Sequence, residues 1–218
     1  MPPFAFAASH DLREPLRMVN TYSQLLITAS RENNHNDADL AVGFIDEGIK
    51  RMDQLLTDLL SYTQLDLGEK DNGHQVNLNS ALEIALRNLQ ARIEENDARV
   101  THDPLPTVRG REIHFVQLFQ NLVDNSIKYR GNDSPRIHVS AERMGDEWCI
   151  AVADNGVGIE RPFHEHIFGV FKRLQSKHVP GMGIGLALCR RVVEQAGGRI
   201  WVESGVKEGS IFYFTLRG

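Results

Sequence analysis

The 218-residue chain contains only two cysteines, Cys149 and Cys189, which lie far apart in the sequence. Neither has a histidine or a second cysteine at the spacing of a zinc site. Two distant thiols do not form a disulfide framework, and such sparse cysteine usage is typical of a reducing compartment. The composition therefore excludes zinc-ribbon and disulfide-stapled proteins, and we predict a cytoplasmic location.

Long apolar runs and an excess of positive charge are also missing. No stretch approaches the roughly 18 to 20 apolar residues needed to cross a bilayer, and the initial MPPFAFAASH lacks the charged region of a signal peptide. The net charge is −5, from 24 basic and 29 acidic residues, which argues against a nucleic-acid-binding surface. We therefore predict a soluble globular segment with no nucleic-acid partner and no membrane contact.

The segment from residue 4 to about 30 has the apolar spacing of an amphipathic helix. Leu12, Leu16 and Val19 recur at steps of four and three. Pro15 lies inside this pattern, where it donates no amide hydrogen and its ring crowds the carbonyl four residues earlier. We therefore predict that the helix bends or loosens near Pro15.

A polar stretch, SRENNHNDAD, separates this helix from a second one. We predict that the second helix begins near Ala38 and that Asn36 or Asp37 caps it. Its apolar stripe contains Ile45, Ile49, Met52, Leu55, Leu56, Leu59 and Leu60. Two helices of about 27 residues, roughly 40 Å each, leave one broad face of a lone hairpin uncovered. We therefore predict a four-helix bundle in a homodimer, the alternative being that the hairpin packs on the rest of its own chain.

The sequence pattern changes after this hairpin. We predict a helical domain over residues 1–67, a polar linker over 68–75 and a second domain over 76–218. The second domain has predicted helices at 79–95, 111–129 and about 184–196, and two β-hairpins formed by RIHVSAERM with EWCIAVAD and by GRIWVES with SIFYFTL. Mostly antiparallel pairing predicts an α/β sandwich with helices on one sheet face, so the fold class is α+β.

The stretch NLVDNSIKYR carries polar groups suited to a bound ligand. Asn121 and Asn125 lie one helical turn apart, and Lys128 and Tyr129 follow one turn later. An amide oxygen suits Mg²⁺, an ammonium group suits phosphate, and a tyrosine ring can pack on a nucleobase. For this stretch alone, a capped surface helix with solvated side chains is an equal alternative.

Two glycine-containing stretches, DNGVGI and GMGIGLAL, follow. In the first, Asp154 ends a strand and can accept a hydrogen bond from an exocyclic amine, while its glycines let the backbone approach a ligand; an ordinary turn is the alternative. The second leads into a helix, where free amides and the helix dipole favour an anion. Its G-x-G-x-G spacing and its context do not fit a dinucleotide fingerprint.

Between the glycine stretches lie 20 residues, RPFHEHIFGVFKRLQSKHVP. A long segment flanked by glycines is typical of a lid over a pocket. Lys172 and Arg173 on it could reach phosphate oxygens, although solvated charges are the more common case.

The order of these stretches resembles that of the sensor histidine kinases of two-component systems. SHDLREPL is similar to their H box, NLVDNSIKYR to the N box, DNGVGI to the first G box, IFGVFKRL to the F box and GMGIGLAL to the second G box. The subtype resembles the phytochrome-like kinases, in which Asp-Leu-x-Glu-Pro-Leu-Arg is frequent. This resemblance implies a HisKA-type dimerisation and phosphotransfer hairpin followed by a Bergerat-type ATP-binding domain.

The resemblance also implies an activity and a set of site residues. ATP-dependent autophosphorylation would occur on His10, with Asp11 orienting the imidazole or taking its other proton, and the phosphoryl group would pass to an aspartate of a response regulator. Asn125 would hold Mg²⁺. The implied nucleotide contacts are Asn121, Asn125, Lys128, Tyr129, Asp154, Gly156, Gly158, Ile159, Arg173, Gly181, Gly183, Gly185 and Leu186.

Partners follow from the same resemblance: a homodimer, a response regulator receiver domain and an upstream sensor domain in a longer parent chain. Glu14 stands where many relatives have a Thr or Asn that positions water for dephosphorylation, so phosphatase activity is not predicted. One alternative is a non-catalytic nucleotide-binding scaffold with the same fold, against which the retained motif residues argue. Another is an ATP-driven chaperone or topoisomerase subunit, a class that lacks the hairpin with SHDLREPL.

Overall fold

The computed structural model describes residues 3–64, 74–172, 174, 183–206 and 208–218, and for residues 3–11, 54, 58, 59 and 61–64 it describes the backbone only. These ranges form a helical hairpin and an α/β unit. Most of the predicted linker lies outside them. Within the described ranges, no helix combines the length and the apolar character needed to cross a bilayer.

The hairpin consists of α1 (Pro3–Arg31) and α2 (His35–Gln64), which confirms the two predicted helices. The predicted start of α2 was wrong by three residues, since the cap is Asn34 rather than Asn36 or Asp37. The Asn34 side chain accepts a hydrogen bond from the Asp37 amide at 3.3 Å and donates to the Asp37 carboxylate at 2.7 Å. The first bond satisfies one of the backbone amides that the first helical turn leaves free, and the second holds the two side chains together.

Helix α1 continues through Pro15, so the proline does not end it. Pro15 is buried, and Gly48 of α2 lies opposite. A Cβ added to Gly48 would lie 2.7 Å from Val19 Cγ2 and 3.4 Å from the Pro15 carbonyl oxygen. The missing side chain at Gly48 therefore lets the two helices approach closely around the proline.

The α/β unit contains two sheets. Its elements are β1 (Gln75–Asn77), α3 (Leu78–Asn88), α4 (Gln90–Glu95), β2 (Arg99–His102), β3 (Thr107–Arg109), α5 (Glu112–Lys128), β4 (Arg136–Met144), β5 (Glu147–Asp154), 3₁₀ turns at Arg161–Phe163 and His166–Phe168, α6 (Gly185–Gln195), β6 (Ile200–Ser204) and β7 (Ser210–Arg217). The main sheet has the order β2-β4-β5-β7-β6, antiparallel except for the β2–β4 pair. Both predicted β-hairpins are confirmed, whereas β1 and β3, which pair with each other, were not predicted.

One apolar core joins helices α3, α5 and α6 to a single face of the main sheet, as the predicted sandwich requires. The predicted helix over 79–95 is divided at Leu89, whose amide bonds back to the carbonyls of Ala85 and Leu86. The strand register pairs Asp154, the last residue of β5, with Ser210, the first of β7. The end of α5 and the start of α6 pack over this edge, where the candidate site lies.

We predict that Gly48→Ala destabilises the hairpin by about 1–3 kcal/mol, because its new methyl group would overpack against Val19. Gly43→Ala is the matched control in the same helix, since a Cβ there meets nothing within 4 Å. It is expected to stabilise α2 by about 1 kcal/mol through helix propensity alone. Hydrogen exchange of the hairpin amides, measured at fixed protein concentration, separates the two effects. Equal protection in both variants would contradict the proposed close contact.

Candidate active site

A cleft of about 390 Å³ lies where α5, the loop after β5, the start of α6 and the β6–β7 turn meet. Its lining is mostly apolar, with a few polar groups at defined points. The lining residues are Asn125, Tyr129, Asp154, Val157, Gly158, Ile159, Glu160, Phe163, Ile167, Lys172, Leu174, Leu186, Val206, Ser210 and Phe212. A concave apolar site with few convergent polar groups is typical of small-molecule binding.

Asp154 is the polar centre of this cleft. Its Oδ1 accepts hydrogen bonds from the Gly156 amide at 2.8 Å and from the Ser210 amide at 3.1 Å. Its Oδ2 accepts from the Ser126 hydroxyl at 3.2 Å, which also lies 3.1 Å from the Leu122 carbonyl. Burial raises the pKa of Asp154 above its ordinary value, and the three hydrogen bonds oppose this shift. Because Oδ1 already serves two amides, Oδ2 keeps the acceptor capacity that a ligand can use.

Only some of the NLVDNSIKYR residues that were predicted to share one cleft lie in its lining. Asn125 and Tyr129 line the cleft, whereas Asn121 and Lys128 are not part of its lining. The side-chain Nδ2 of Asn121 donates to the Gln117 carbonyl at 2.9 Å. A Cβ added to Gly185 would lie 2.6 Å from Asn121 Oδ1, so Asn121 packs against the start of α6.

Lys128 forms an ion pair instead of pointing into the cleft. Its Nζ lies 2.5 Å from Asp124 Oδ2, one turn earlier on α5. Arg92 of α4 pairs with the same carboxylate. Two cations therefore share one acidic group, and Lys128 does not join Asn125 in the cleft lining, while its contact with phosphate stays a prediction.

The glycines of DNGVGI allow a close approach between parts of the chain itself. A Cβ at Gly156 would lie 2.6 Å from the Tyr129 carbonyl oxygen, and the Val157 amide donates to that same oxygen at 3.0 Å. Gly158 has φ +76°, a left-handed conformation that favours glycine. The loop after β5 is thereby fixed to the end of α5, and it presents Gly158 and Ile159 to the cleft.

The described part of the predicted lid, residues 161–172 and 174, reaches the site. Lys172 and Leu174 line the cleft, as does Leu186 of α6. The Phe171 amide donates to the Gly183 carbonyl at 3.0 Å, which ties the middle of the predicted lid to the residues just before α6. The predicted contacts Arg173 and Gly181 lie outside the described residues.

The hairpin packs against this same region. Leu55 of α2 and Ile184 are both buried and form a small apolar cluster, with Leu12 of α1, Val170 and Phe171 packed around them. Residues 10 and 11 belong to α1, but the side chains of His10 and Asp11 lie outside the described residues. The turn of α1 that precedes Leu12 is thus next to the segment that joins the lid to α6.

Several residues of the site were not predicted from the sequence. Ser210 enters the site because the strand register sets it beside Asp154, and Ser126 does so from the buried face of α5. Phe163 and Val206 come from a 3₁₀ turn and a strand connection. The alternation of β7 indicates which of its residues face the core, but only the pairing of β5 with β7 identifies Ser210 as a partner of Asp154.

Comparison with known families gives a direct assignment. Residues 110–218 match the family described as histidine kinase-, DNA gyrase B-, and HSP90-like ATPase. The chain belongs to this ATPase family. Residues 4–68 match the His Kinase A (phospho-acceptor) domain. The pairing of these two domains confirms the predicted histidine kinase architecture.

Curated relatives support the phytochrome-like subtype. Over 214 residues the chain is 44% identical to cyanobacterial phytochrome A of a Nostoc species. The alignment covers 98% of this chain and 28% of that protein. The chain is 40% identical to the phytochrome-like protein Cph1 of a Synechocystis species, again with 98% and 28% coverage. The chain thus spans less than a third of the length of these relatives.

Solved structures share the fold. A histidine kinase ThkA in complex with the response regulator protein TrrA superposes with a TM-score of 0.76 at 19% identity, covering 99% of this chain and 61% of that one. The Acinetobacter baumannii histidine kinase AdeS gives a TM-score of 0.73 at 18% identity, with 95% and 97% coverage. A helical hairpin followed by a mixed α/β unit is therefore the shared architecture.

We predict that Asp154→Asn leaves the α/β unit folded and makes it more stable than wild type at neutral pH. The Asn Oδ1 can still accept from both amides, and Nδ2 can donate to Ser126 if that hydroxyl turns toward Leu122. A raised native pKa means that wild type loses stability as the pH rises from the unfolded value of about 4 through the raised value. The variant lacks this loss, so its advantage grows with pH over that window.

Urea unfolding followed by tryptophan fluorescence measures this difference, because Trp148 and Trp201 both belong to the α/β unit. Asp146→Asn, in the exposed β4–β5 turn, is the matched control. A lower urea midpoint for Asp154→Asn at neutral pH would show that the carboxylate itself stabilises the site.

Proposed function

We propose that this chain is the ATP-dependent kinase core of a sensor histidine kinase. It would phosphorylate its own His10 and then pass the phosphoryl group to an aspartate of a response regulator. The observation that carries the proposal is Asp154, a partly buried carboxylate with acceptor capacity left on Oδ2 in a mostly apolar cleft. Adenine presents an exocyclic amine that this oxygen can accept, while the apolar walls bury the ring.

The residues around Asp154 suit the remaining parts of the nucleotide. Tyr129 and Ile159 line the same cleft and offer apolar surface to the base. Asn125 lies on the cleft side of α5, and Mg²⁺ commonly takes one or two protein oxygens together with substrate phosphates. Asn125 would therefore hold the ion, whose charge neutralises the phosphates during transfer. Lys172, also in the lining, would contact the phosphates.

In the transfer step, the His10 Nε2 lone pair would form a bond to the γ-phosphorus of ATP. The bond from that phosphorus to the β–γ bridging oxygen breaks, and ADP leaves. Asp11 would keep the imidazole correctly oriented through its other nitrogen. The packing of Leu12 against the cluster of Leu55 and Ile184 supports the role of His10, since it brings the α1 turn that contains residue 10 near the start of α6.

The hairpin surface supports a homodimer. Leu16, Ile27 and Leu40 are each 53% exposed, and Ile49 is 51% exposed. So many exposed large apolar side chains along two helices would be costly in water, and a second hairpin can cover them. We further propose a cytoplasmic location. By analogy with the phytochrome relatives we propose an upstream sensor domain. By analogy with the ThkA–TrrA complex we propose a receiver domain as the phosphoryl acceptor.

We expect His10→Gln to abolish transfer of label from γ-³²P-ATP to the protein, because the glutamine amide is not a nucleophile at neutral pH. His35→Gln, at the exposed start of α2, is the matched control and is expected to label normally. The wild-type adduct should be acid-labile and alkali-stable, and it should move to an added receiver domain. Persistent labelling of His10→Gln would exclude His10 as the acceptor, and ATP binding without any wild-type labelling would favour the scaffold alternative.

Asp154→Asn is expected to change base selectivity. The asparagine Nδ2 would face the adenine amine donor to donor, so the affinity for ATP should fall roughly 10- to 100-fold. Inosine triphosphate carries a carbonyl at that ring position and can accept from Nδ2, so the variant should prefer it over ATP. Nucleotide titration of both proteins measures the two preferences. An unchanged preference for ATP would mean that Asp154 does not contact the base.

A further inference from the structure

Ser204, the last residue of β6, forms hydrogen bonds with three separate groups. Its Oγ accepts from the Ile159 amide at 2.8 Å and donates to the Gly209 carbonyl at 2.6 Å. The Ser210 hydroxyl lies 3.0 Å away and can donate to the same oxygen. A serine hydroxyl has one donor and two acceptor sites, so this arrangement uses its full capacity.

The groups that Ser204 joins belong to different elements of the cleft wall. Ile159 lines the cleft from the loop after β5, and Ser210 lines it from β7. The Ser210 amide also holds Asp154 Oδ1. Ser204 itself is not part of the lining. The Ser204 hydroxyl thus links the backbone of Ile159, through Ser210, to the Asp154 carboxylate.

The chain approaches itself closely around this hydroxyl. Gly209 has φ +80°, and a Cβ there would lie 2.0 Å from the Asp154 carbonyl oxygen, so the β6–β7 turn passes directly against the end of β5. On the far side, the Ile159 carbonyl accepts from His164 Nε2 at 3.0 Å. The amide and carbonyl groups of Ile159 are therefore both held, and loss of Ser204 would release the amide.

We propose that Ser204 is a positioning residue for the base-binding end of the cleft. Its hydroxyl keeps Ile159 and Asp154 at a fixed separation, so that the ring and its exocyclic amine are engaged together. This inference rests on the proposed function, since the base is that of ATP. The interaction is made equally before and during phosphoryl transfer, so it contributes to nucleotide binding and not to the transfer step.

The test is the rate of His10 labelling as a function of ATP concentration. For Ser204→Ala we expect about a tenfold higher KM for ATP, the order expected when a buried amide loses its partner, with the maximal rate within about twofold of wild type. Ser204→Thr keeps the hydroxyl and should return KM to within about threefold of wild type. Glu203→Ala is the control, because Glu203 precedes Ser204 on the same strand and points to the opposite sheet face.

A Ser204→Ala protein with the wild-type KM would overturn the proposal, as would a fall in maximal rate with KM unchanged. If Ser204→Ala does not fold, Ser204→Thr and Ser204→Val provide the comparison, since they share a shape and differ in the hydroxyl. Equal KM values for that pair would also overturn it. A wild-type chain that neither binds nor uses ATP would refute the proposed function itself, whereas normal wild-type labelling with unaffected variants refutes only the role of Ser204.

Discussion

The candidate site depends on a partly buried carboxylate that is held by three donors. Burying an ionised group is costly unless hydrogen bonds replace its water, and Asp154 obtains them from Ser126 on α5, Gly156 in the loop after β5 and Ser210 on β7. These donors come together only when α5 has packed on the sheet and β5 has paired with β7. The Asp154 carboxylate therefore takes up its position only when the core forms. A packing defect between α5 and the sheet would reach the site through the lost Ser126 contact.

Two glycines near this carboxylate serve the same constraint. Gly156 lies where a side chain would meet the Tyr129 carbonyl, and Gly209 where it would meet the carbonyl of Asp154. Both allow backbone segments to approach more closely than any residue with a Cβ permits. As a result, hydrogen bonds between backbone groups hold the cleft together. The side chains then define its shape, and Asp154 provides one hydrogen-bond acceptor for a ligand. Such a preformed site loses little conformational freedom when a ligand enters.

The sequence predicted those features that depend on local patterns. Long helices and β-hairpins follow from periodicity and turn residues, and Asp154 and Asn125 follow from ordered motifs. The positions of Lys128 and Asn121 could not be predicted, because the ion pairs of Lys128 and Arg92 with Asp124, and the packing of Gly185 on Asn121, arise only in the folded chain. The α2 cap was ambiguous because several Asn and Asp residues are adjacent there. Strands β1 and β3, with three residues each, are too short to show an alternation of apolar and polar residues.

Among the described residues, five side chains form the apolar contact between the hairpin and the α/β unit: Leu12, Leu55, Val170, Phe171 and Ile184. At about 25 cal/mol per Å² of buried apolar surface, such a patch contributes only a few kcal/mol. An interface of that size can open and close at ambient temperature, as small interfaces between domains commonly do. The proposed reaction, in which a nucleotide site meets α1 and α1 later meets a second protein, needs such a reversible contact. The ion pair between Glu14 and Arg51 and the close packing of Gly48 on Val19 hold α1 against α2, so any opening would move the α/β unit and leave the hairpin intact.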